Sequence, residues 1–378
     1  MCRLEDQLMH LKPVLCGVLA FVLAALGASA ADTDEAAKEE KVTGPEAFEE
    51  AVKAAGGAVD FVFGDEVPYE QCHASCVVQA PNGDVLATWF AGTEEGEDDV
   101  GIWFARRTAD GWSEASRVAK VDNTPHWNPV LFVDAEDDLH LFFKIGEKIP
   151  FWQTYWMSSD DNGKTWNEPK ELVEDDKGGR GPVRSRPIIL SDGAWLAPAS
   201  TEYKGWKPFV DRSEDQGKTW ERSEDFAIDR DEFKGLGAIQ PTLWESKPGH
   251  VHALLRTTSG RMGRVDSTDG GKTWSAMYDA GLPNNNSGID ALLLESGRLL
   301  LVYNPVGENW GGRSPIDLAY SDDNGKTWET IAHLEDEPEK EFSYPSICHT
   351  EDGVAITYTW KRKTLRFWHV PLKLVDKP

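Results

Sequence analysis

Positive charge is scarce in this chain of 378 residues: 39 Lys and Arg stand against 65 Asp and Glu, for a formal net charge of −26. A field of that sign repels phosphate backbones and anionic lipid, which argues against nucleic-acid and peripheral-membrane roles. An anionic substrate remains admissible, because it responds to local arginines rather than to the average charge. Cysteine is scarce too. Of five, only Cys72, Cys76 and Cys348 lie beyond residue 30, and an odd number excludes complete pairing within a processed chain. Cys72 and Cys76 on one strand would stand about 13 Å apart, too far to bridge each other. A Cys72–Cys348 or Cys76–Cys348 bridge stays open, with buried free thiols the expectation. The thiols and imidazole of Cys72-His73-x-x-Cys76 do not converge on an extended strand. No other spacing suits a metal, and no motif calls for a cofactor.

Long apolar runs are missing as well. Val14 to Leu26 is too short for a comfortable membrane span. With Arg3 and Lys12 before it and Ala28-Ser29-Ala30 after it, residues 1–30 read as a secretory signal, which implies a secreted or periplasmic protein with no membrane anchor. Residues 31–57, rich in Ala, Glu, Lys and Asp, read as a polar leader with a short helix around Pro45–Ala54, outside the core. Residues 58–378 are the expected folded domain.

What the chain has in excess is tryptophan, 16 residues of it, and many Gly and Asp turns. Ser159-Asp160-Asp161-Asn162-Gly163-Lys164-Thr165-Trp166 returns at Ser213–Trp220, Ser267–Trp274 and Ser321–Trp328 as S-x-D-x-G-x-T-W. Trp112 extends the series backward in a degenerate copy, so five tryptophans keep one spacing of 54 residues. Asp and Gly in such a box build a tight turn, with the carboxylate accepting backbone N–H groups and Gly at positive φ. These aspartates are therefore folding devices and not ligands. Short strand-like runs such as Tyr155–Ser158, Leu299–Tyr303 and Val354–Thr359 surround the boxes. A unit of this length with several strands is a propeller blade. The expected fold is all-β: a six-bladed β-propeller of four-stranded antiparallel blades, monomeric. Its sixth blade lacks a box and takes its last strand from Val59–Phe63.

The innermost strand of each blade starts at the central funnel, so equivalent residues of successive repeats face one pocket. Alignment on the Gly turn after that strand gives His73, Asn128, Arg186, Gln240, Asn286 with Ser287, and Tyr344. A ring of polar residues at one mouth is a site signal.

The boxes resemble the Asp-boxes, or BNR repeats, of the sialidase superfamily, and the resemblance runs from about Val59 to the C-terminus. The segments Trp127-Asn128-Pro129-Val130-Leu131-Phe132, Gly181-Pro182-Val183 and Asn286-Ser287-Gly288-Ile289-Asp290 are similar to its sialidase-like BNR branch. Sialidases place three arginines on the substrate carboxylate, use a Tyr nucleophile assisted by Glu, and protonate the leaving group with Asp. The resemblance assigns Tyr344 to the tyrosine, and Arg256 and Arg313 to the second and third arginines. It places Asn128 where the family often has an aspartate touching the sugar. The sequence departs from the pattern at two places. His73 replaces the first arginine, and Gln240, which cannot accept a proton, replaces the glutamate. The acid loop is represented by Glu94-Glu95-Gly96-Glu97-Asp98-Asp99, with Glu95 or Asp99 as the candidate general acid.

Three functions follow as expectations. The first is an exo-glycosidase on a terminal acidic sugar of a glycan or polysaccharide, with Arg256 and Arg313 as an anion clamp and Arg186, Asn128, Gln240 and Asn286 as further substrate contacts. The second is a polysaccharide lyase acting next to a uronate, for which Arg256, Arg313, His73 and Tyr344 suffice without a glutamate. The third is a non-catalytic glycan-binding propeller in which Trp89, Trp127, Trp152, Trp206 and Trp310 stack on sugar rings.

Overall fold

The computed structural model describes residues 42–377; the signal-sequence reading of residues 1–30 lies outside them. Six antiparallel sheets follow one another along the chain as the blades of a propeller. Their innermost strands are Gln71–Gln79, His126–Val133, Ile188–Ile189, Ala238–Lys247, Asp290–Leu293 and Phe342–Thr350, in blades one to six. Blade six closes the ring. Its outer strand is Ala58–Phe61, paired antiparallel with Thr364–Pro371, as the missing sixth box implies. The helix Pro45–Ala54 forms where expected but is not outside the core. It buries Phe48 and Val52, and Phe48 stacks on Trp368 at 5.7 Å.

The boxes act as the sequence suggests. Asp161 Oδ1 accepts the backbone N–H groups of Lys164 and Thr165 at 2.9 Å each, and Oδ2 accepts the Thr165 hydroxyl at 2.7 Å. The same bonds recur around Asp269 and Asp323. Among the residues buried in the core, Trp195, Trp244 and Trp368 are essentially closed to solvent, and truncating a ring of that size costs about 3–5 kcal/mol. Cys72, Cys76 and Cys348 are free, buried thiols. Burial pushes those of Cys72 and Cys348 up to about 12, which leaves them inert.

One backbone device recurs on the axis. The innermost strands of blades one, two, four and six each break register at a bulge: between His73 and Cys76, Trp127 and Val130, Ile239 and Thr242, and Ser343 and Ser346. The first residue inside each break is left-handed: Ala74 (φ 56°), Asn128 (43°), Gln240 (53°) and Tyr344 (54°). Asn286 (63°) takes the same conformation just ahead of the blade-five strand. Non-glycine residues rarely adopt this region, and bulges re-aim side chains. The repeat stores its strain at the mouth.

Below the bulges the axis is plugged by an ionic hub. Arg186 of blade three donates to Val77 O at 3.0 Å, to Ser346 Oγ at 3.2 Å and to Ile347 O. Asp290 of blade five lies 3.9 Å from it and accepts from Thr242 of blade four at 2.9 Å and from the Ile347 N–H of blade six at 3.0 Å. Beneath the hub opens a cavity of about 520 Å³.

Candidate active site

The left-handed residues of blades four, five and six converge on Arg256, which the strand His250–Thr257 brings opposite Ile239. Arg256 donates Nε–H to Asn286 Oδ1 at 2.7 Å, and shares one terminal nitrogen between Gln240 Oε1 at 3.1 Å and the Tyr344 hydroxyl at 2.5 Å. Its guanidinium lies 5.3 Å from the Trp206 ring. Arg256 and Tyr344 are both buried. Arg313 stands 5.5 Å from the Tyr344 ring and donates to Glu341 at 2.6 Å and to Ser343 Oγ at 3.3 Å. Gln240, Asn286, Arg256, Arg313 and Tyr344 thus meet, as the register requires.

His73 joins them from a different position. The bulges make Ala74, not His73, the equivalent of Asn128, Gln240 and Tyr344, so the sequence register is one residue off in blade one. The His73 ring nevertheless lies 4.1 Å from that of Tyr344, with Nδ1 2.9 Å from Thr359 Oγ1. Burial first, then the charges of Arg362, Arg313, Arg184 and Arg256, hold its pKa well below the ordinary histidine range. It is a neutral imidazole at physiological pH. Asn128 keeps its bulge position in blade two, buried, with no hydrogen bond among the described residues linking it to Arg256.

Arg186 does not reach the site. Blade three has no bulge and an innermost strand of only two residues, so the Arg-Pro text that imitates Gln240-Pro241 turns its side chain into the hub instead. Of the two candidate acids, Asp99 is exposed and consumed in its own loop, accepting Thr93 N at 2.8 Å and Thr93 Oγ1 at 2.7 Å. Glu95 is drawn to the site by Arg362, whose guanidinium donates to it at 2.5 Å and to Glu341 at 2.8 Å. Burial opposes ionisation of Glu341, but Arg313, Arg362 and the hydrogen bonds they bring outweigh it and keep its carboxyl below the usual range. Trp89, Trp127, Trp152 and Trp206 are buried core residues; of the five candidate stacking rings only Trp310 is exposed.

Three further groups went unread in the sequence. Arg184, fully buried, sits 5.5 Å from the Tyr344 ring and donates to Pro345 O, while its Nε–H has no partner. Arg362 lies in the turn after Gly353–Trp360, which carries no repeat motif. Glu202, in the loop after Trp195–Thr201, is half-buried near Trp206. Burial raises the Glu202 pKa, with Glu95 adding to the effect and Arg256 and Trp206 opposing it. Four guanidiniums, three carboxyl groups, a neutral imidazole and a buried phenol therefore share one mouth of a protein whose net charge is −26. That clustering is suited to an anion, with a phenol oxygen next to it and one carboxyl whose pKa is raised.

A six-bladed propeller with this mouth has the fold of the sialidases. The solved structures of Hadza microbial sialidase Hz136 (18% identity, 84% of this chain and 69% of that one, TM-score 0.70) and Trypanosoma rangeli sialidase (16%, 83% and 59%, TM-score 0.65) superpose on it. A Dyadobacter fermentans protein of unknown function does so over 98% of its own length (83% of this chain, 17% identity, TM-score 0.67). In sequence, the anhydrosialidase of Macrobdella decora is 22% identical over 265 residues, which cover 61% of this chain and 33% of that protein. The chain spans a third of that relative's length. Residues 83–356 match the BNR repeat-like domain, and the chain belongs to that family.

Proposed function

We propose that this protein is a sialidase-like glycoside hydrolase that acts on a terminal acidic sugar of a glycan, exported by way of residues 1–30. The observation that carries the reading is the contact of Arg256 with the Tyr344 hydroxyl, with Arg313 over the same ring. A sugar carboxylate held by these two arginines would present its anomeric carbon to the Tyr344 oxygen. Glu202 is the carboxyl suited to protonate the leaving oxygen. Glu95 and Glu341 are each ion-paired, whereas no ion pair among the described residues engages Glu202.

The test is release of free sugar from aryl sialosides and aryl uronides. Glu202→Gln should lower turnover of a glycan with a poor leaving group by about 100-fold or more, yet leave that of an aryl glycoside, which needs no acid, within about 10-fold. Equal losses on both would remove Glu202 from the role. A second reading, elimination next to a uronate, draws on Gln240, which accepts from Arg256 and offers no base to Tyr344. A product absorbing in the near ultraviolet would favour it, and binding without any turnover would leave a glycan-binding propeller.

A further inference from the structure

His252 occupies the same strand position in blade four as His140 in blade two: the first faces Trp244 and Asp266 across its neighbouring strands, the second Phe132 and Ser158. The two imidazoles are partnered in opposite senses. In blade two the Trp156 indole N–H donates to His140 Nδ1 at 3.0 Å, so the proton is on Nε2 and goes to Asp134 at 2.8 Å. Both nitrogens are occupied by groups that are not nucleophiles.

In blade four the order is reversed. Trp244 Nε1–H donates to Asn324 Oδ1 at 2.7 Å, which turns the Asn324 amide nitrogen toward His252 Nε2 at 3.1 Å. An amide N–H needs a lone pair there, so Nε2 carries no hydrogen and Nδ1–H points at Asp266 Oδ1, 2.5 Å away. Ser246 Oγ lies 2.7 Å from the same Nε2, so its hydroxyl shares that one lone pair with the Asn324 amide and holds the shorter contact. The Tyr278 hydroxyl fixes the far oxygen of Asp266, Oδ2, at 2.6 Å, while Arg264 Nε donates at 3.1 Å to the same Oδ1 that faces His252. Arg264 also passes 3.3 Å from His252 Nδ1. Burial works against the Asp266 carboxylate, but its bonds from His252, Tyr278 and Arg264 win and hold its pKa at about 2. The imidazole is stacked on Trp244 at 5.2 Å, which sets its plane.

Ser246 reaches His252 because the strand bulges there. Pairing steps from Glu245↔Val251 to Lys247↔His250, leaving Ser246 without a cross-strand partner and exposed to solvent. Six residues of strand separate it from Gln240, which puts it about 20 Å from the mouth.

We propose that Ser246, His252 and Asp266 form a second reaction centre, in which Ser246 is a nucleophile toward small activated esters. Hydroxyl, base and base-orienting carboxylate stand in the hydrogen-bonded order that acyl transfer uses. Ser246 Oγ bonds to the ester carbonyl carbon as its proton passes to His252 Nε2. The carbonyl–alkoxide bond breaks and the leaving oxygen takes that proton. Water then gives a proton to the same nitrogen as its oxygen bonds to the acyl carbon, the acyl–Oγ bond breaks, Ser246 Oγ takes the proton back from Nε2, and the carboxylic acid leaves. This centre is independent of the reading given to Tyr344 and Arg256.

The test treats the folded protein with a fluorophosphonate and with 4-nitrophenyl acetate, followed by peptide mass analysis. Modification should fall on Ser246, vanish in Ser246→Ala, and slow at least 100-fold in His252→Gln. His140→Gln, the blade-two counterpart, should leave the rate unchanged, which separates loss of the base from general loosening of a blade. An unmodified Ser246 would overturn the proposal, as would equal labelling of wild type, His252→Gln and urea-unfolded chain. Should His252→Gln fail to fold, Asp266→Asn decides: an unchanged labelling rate in that variant overturns the proposal.

Discussion

The two ends of the propeller axis are built from the same strands and do opposite things with charge. At the lower end every charge is answered: Arg186 lies against carbonyls and Asp290, and Asp290 against Thr242 and a backbone N–H. At the upper end cations accumulate around Tyr344, and Arg184 has no carboxylate within ion-pair distance among the described residues. The bulge divides the two. Residues two apart in one strand, Gln240 and Thr242 or Tyr344 and Ser346, serve the mouth and the hub respectively. Charge at the hub is structural, and charge at the mouth is available to a ligand.

Substitutions should separate the two ends cleanly. The largest effect is expected at the hub. Asp290→Ala strands a buried guanidinium and two donors, and should cost about 3–5 kcal/mol in urea unfolding, whereas Arg186→Met combined with Asp290→Leu should recover part of that loss. At the mouth, Tyr344→Phe, which leaves Arg256 bonded to Gln240 and Asn286, should lower kcat/KM on an aryl glycoside of an acidic sugar by about 10²–10³-fold, roughly 3–4 kcal/mol, with little change in unfolding. A hub variant that unfolds no more easily than a mouth variant would erase the distinction.

Acid tests the comparison differently, because each end keeps a histidine neutral. The His73 pKa is depressed by burial and by four arginines, that of His349 by burial and Arg186. Below about 6.5 the unfolded chain takes up protons that the folded one refuses, so stability falls as pH drops. For His73 the slope is at most about 1.4 kcal/mol per pH unit. His73→Gln should flatten the stability–pH curve more than His349→Gln, since burial and four arginines act together on His73, whereas the Leu293 carbonyl and Glu295 oppose the depression at His349. The smallest effect belongs to the boxes. Asp269→Ala, remote from both ends, should cost about 1 kcal/mol or less in thermal unfolding and leave turnover unchanged.

The fold was legible because its signal is periodic: one octapeptide at a constant interval implies one unit repeated, and a missing sixth box implies a borrowed strand. The site was legible only where the repeat reaches it. The polar residue before Pro identifies Asn128, Gln240 and Tyr344, since that dipeptide marks a bulge. The same text misplaces Arg186, where the strand is too short to bulge, and the alignment slips at His73, where Ala74-Ser75 stands in for the dipeptide. Glu202 and Arg362 lie on loops that vary from blade to blade. What they do depends on which charges from other blades surround them, and no spacing along the chain records that.

Closure of blade six has a consequence in time. The strand Ala58–Phe61 finds its partner some three hundred residues later, at Arg366 to His369. Joining ends so distant carries a loop-closure cost that no local contact offsets, and pairings of this range are slow to form. The first strand among the described residues is thus the last to be seated, and until it arrives the edge of Thr364–Pro371 is unpaired and open to another chain. Chains cut short before residue 364 should accumulate as aggregates and not as five-bladed rings, and the helix Pro45–Ala54, docked on Trp368, acts as the latch on a clasp that cannot shut until the strand Thr364–Pro371 is in place.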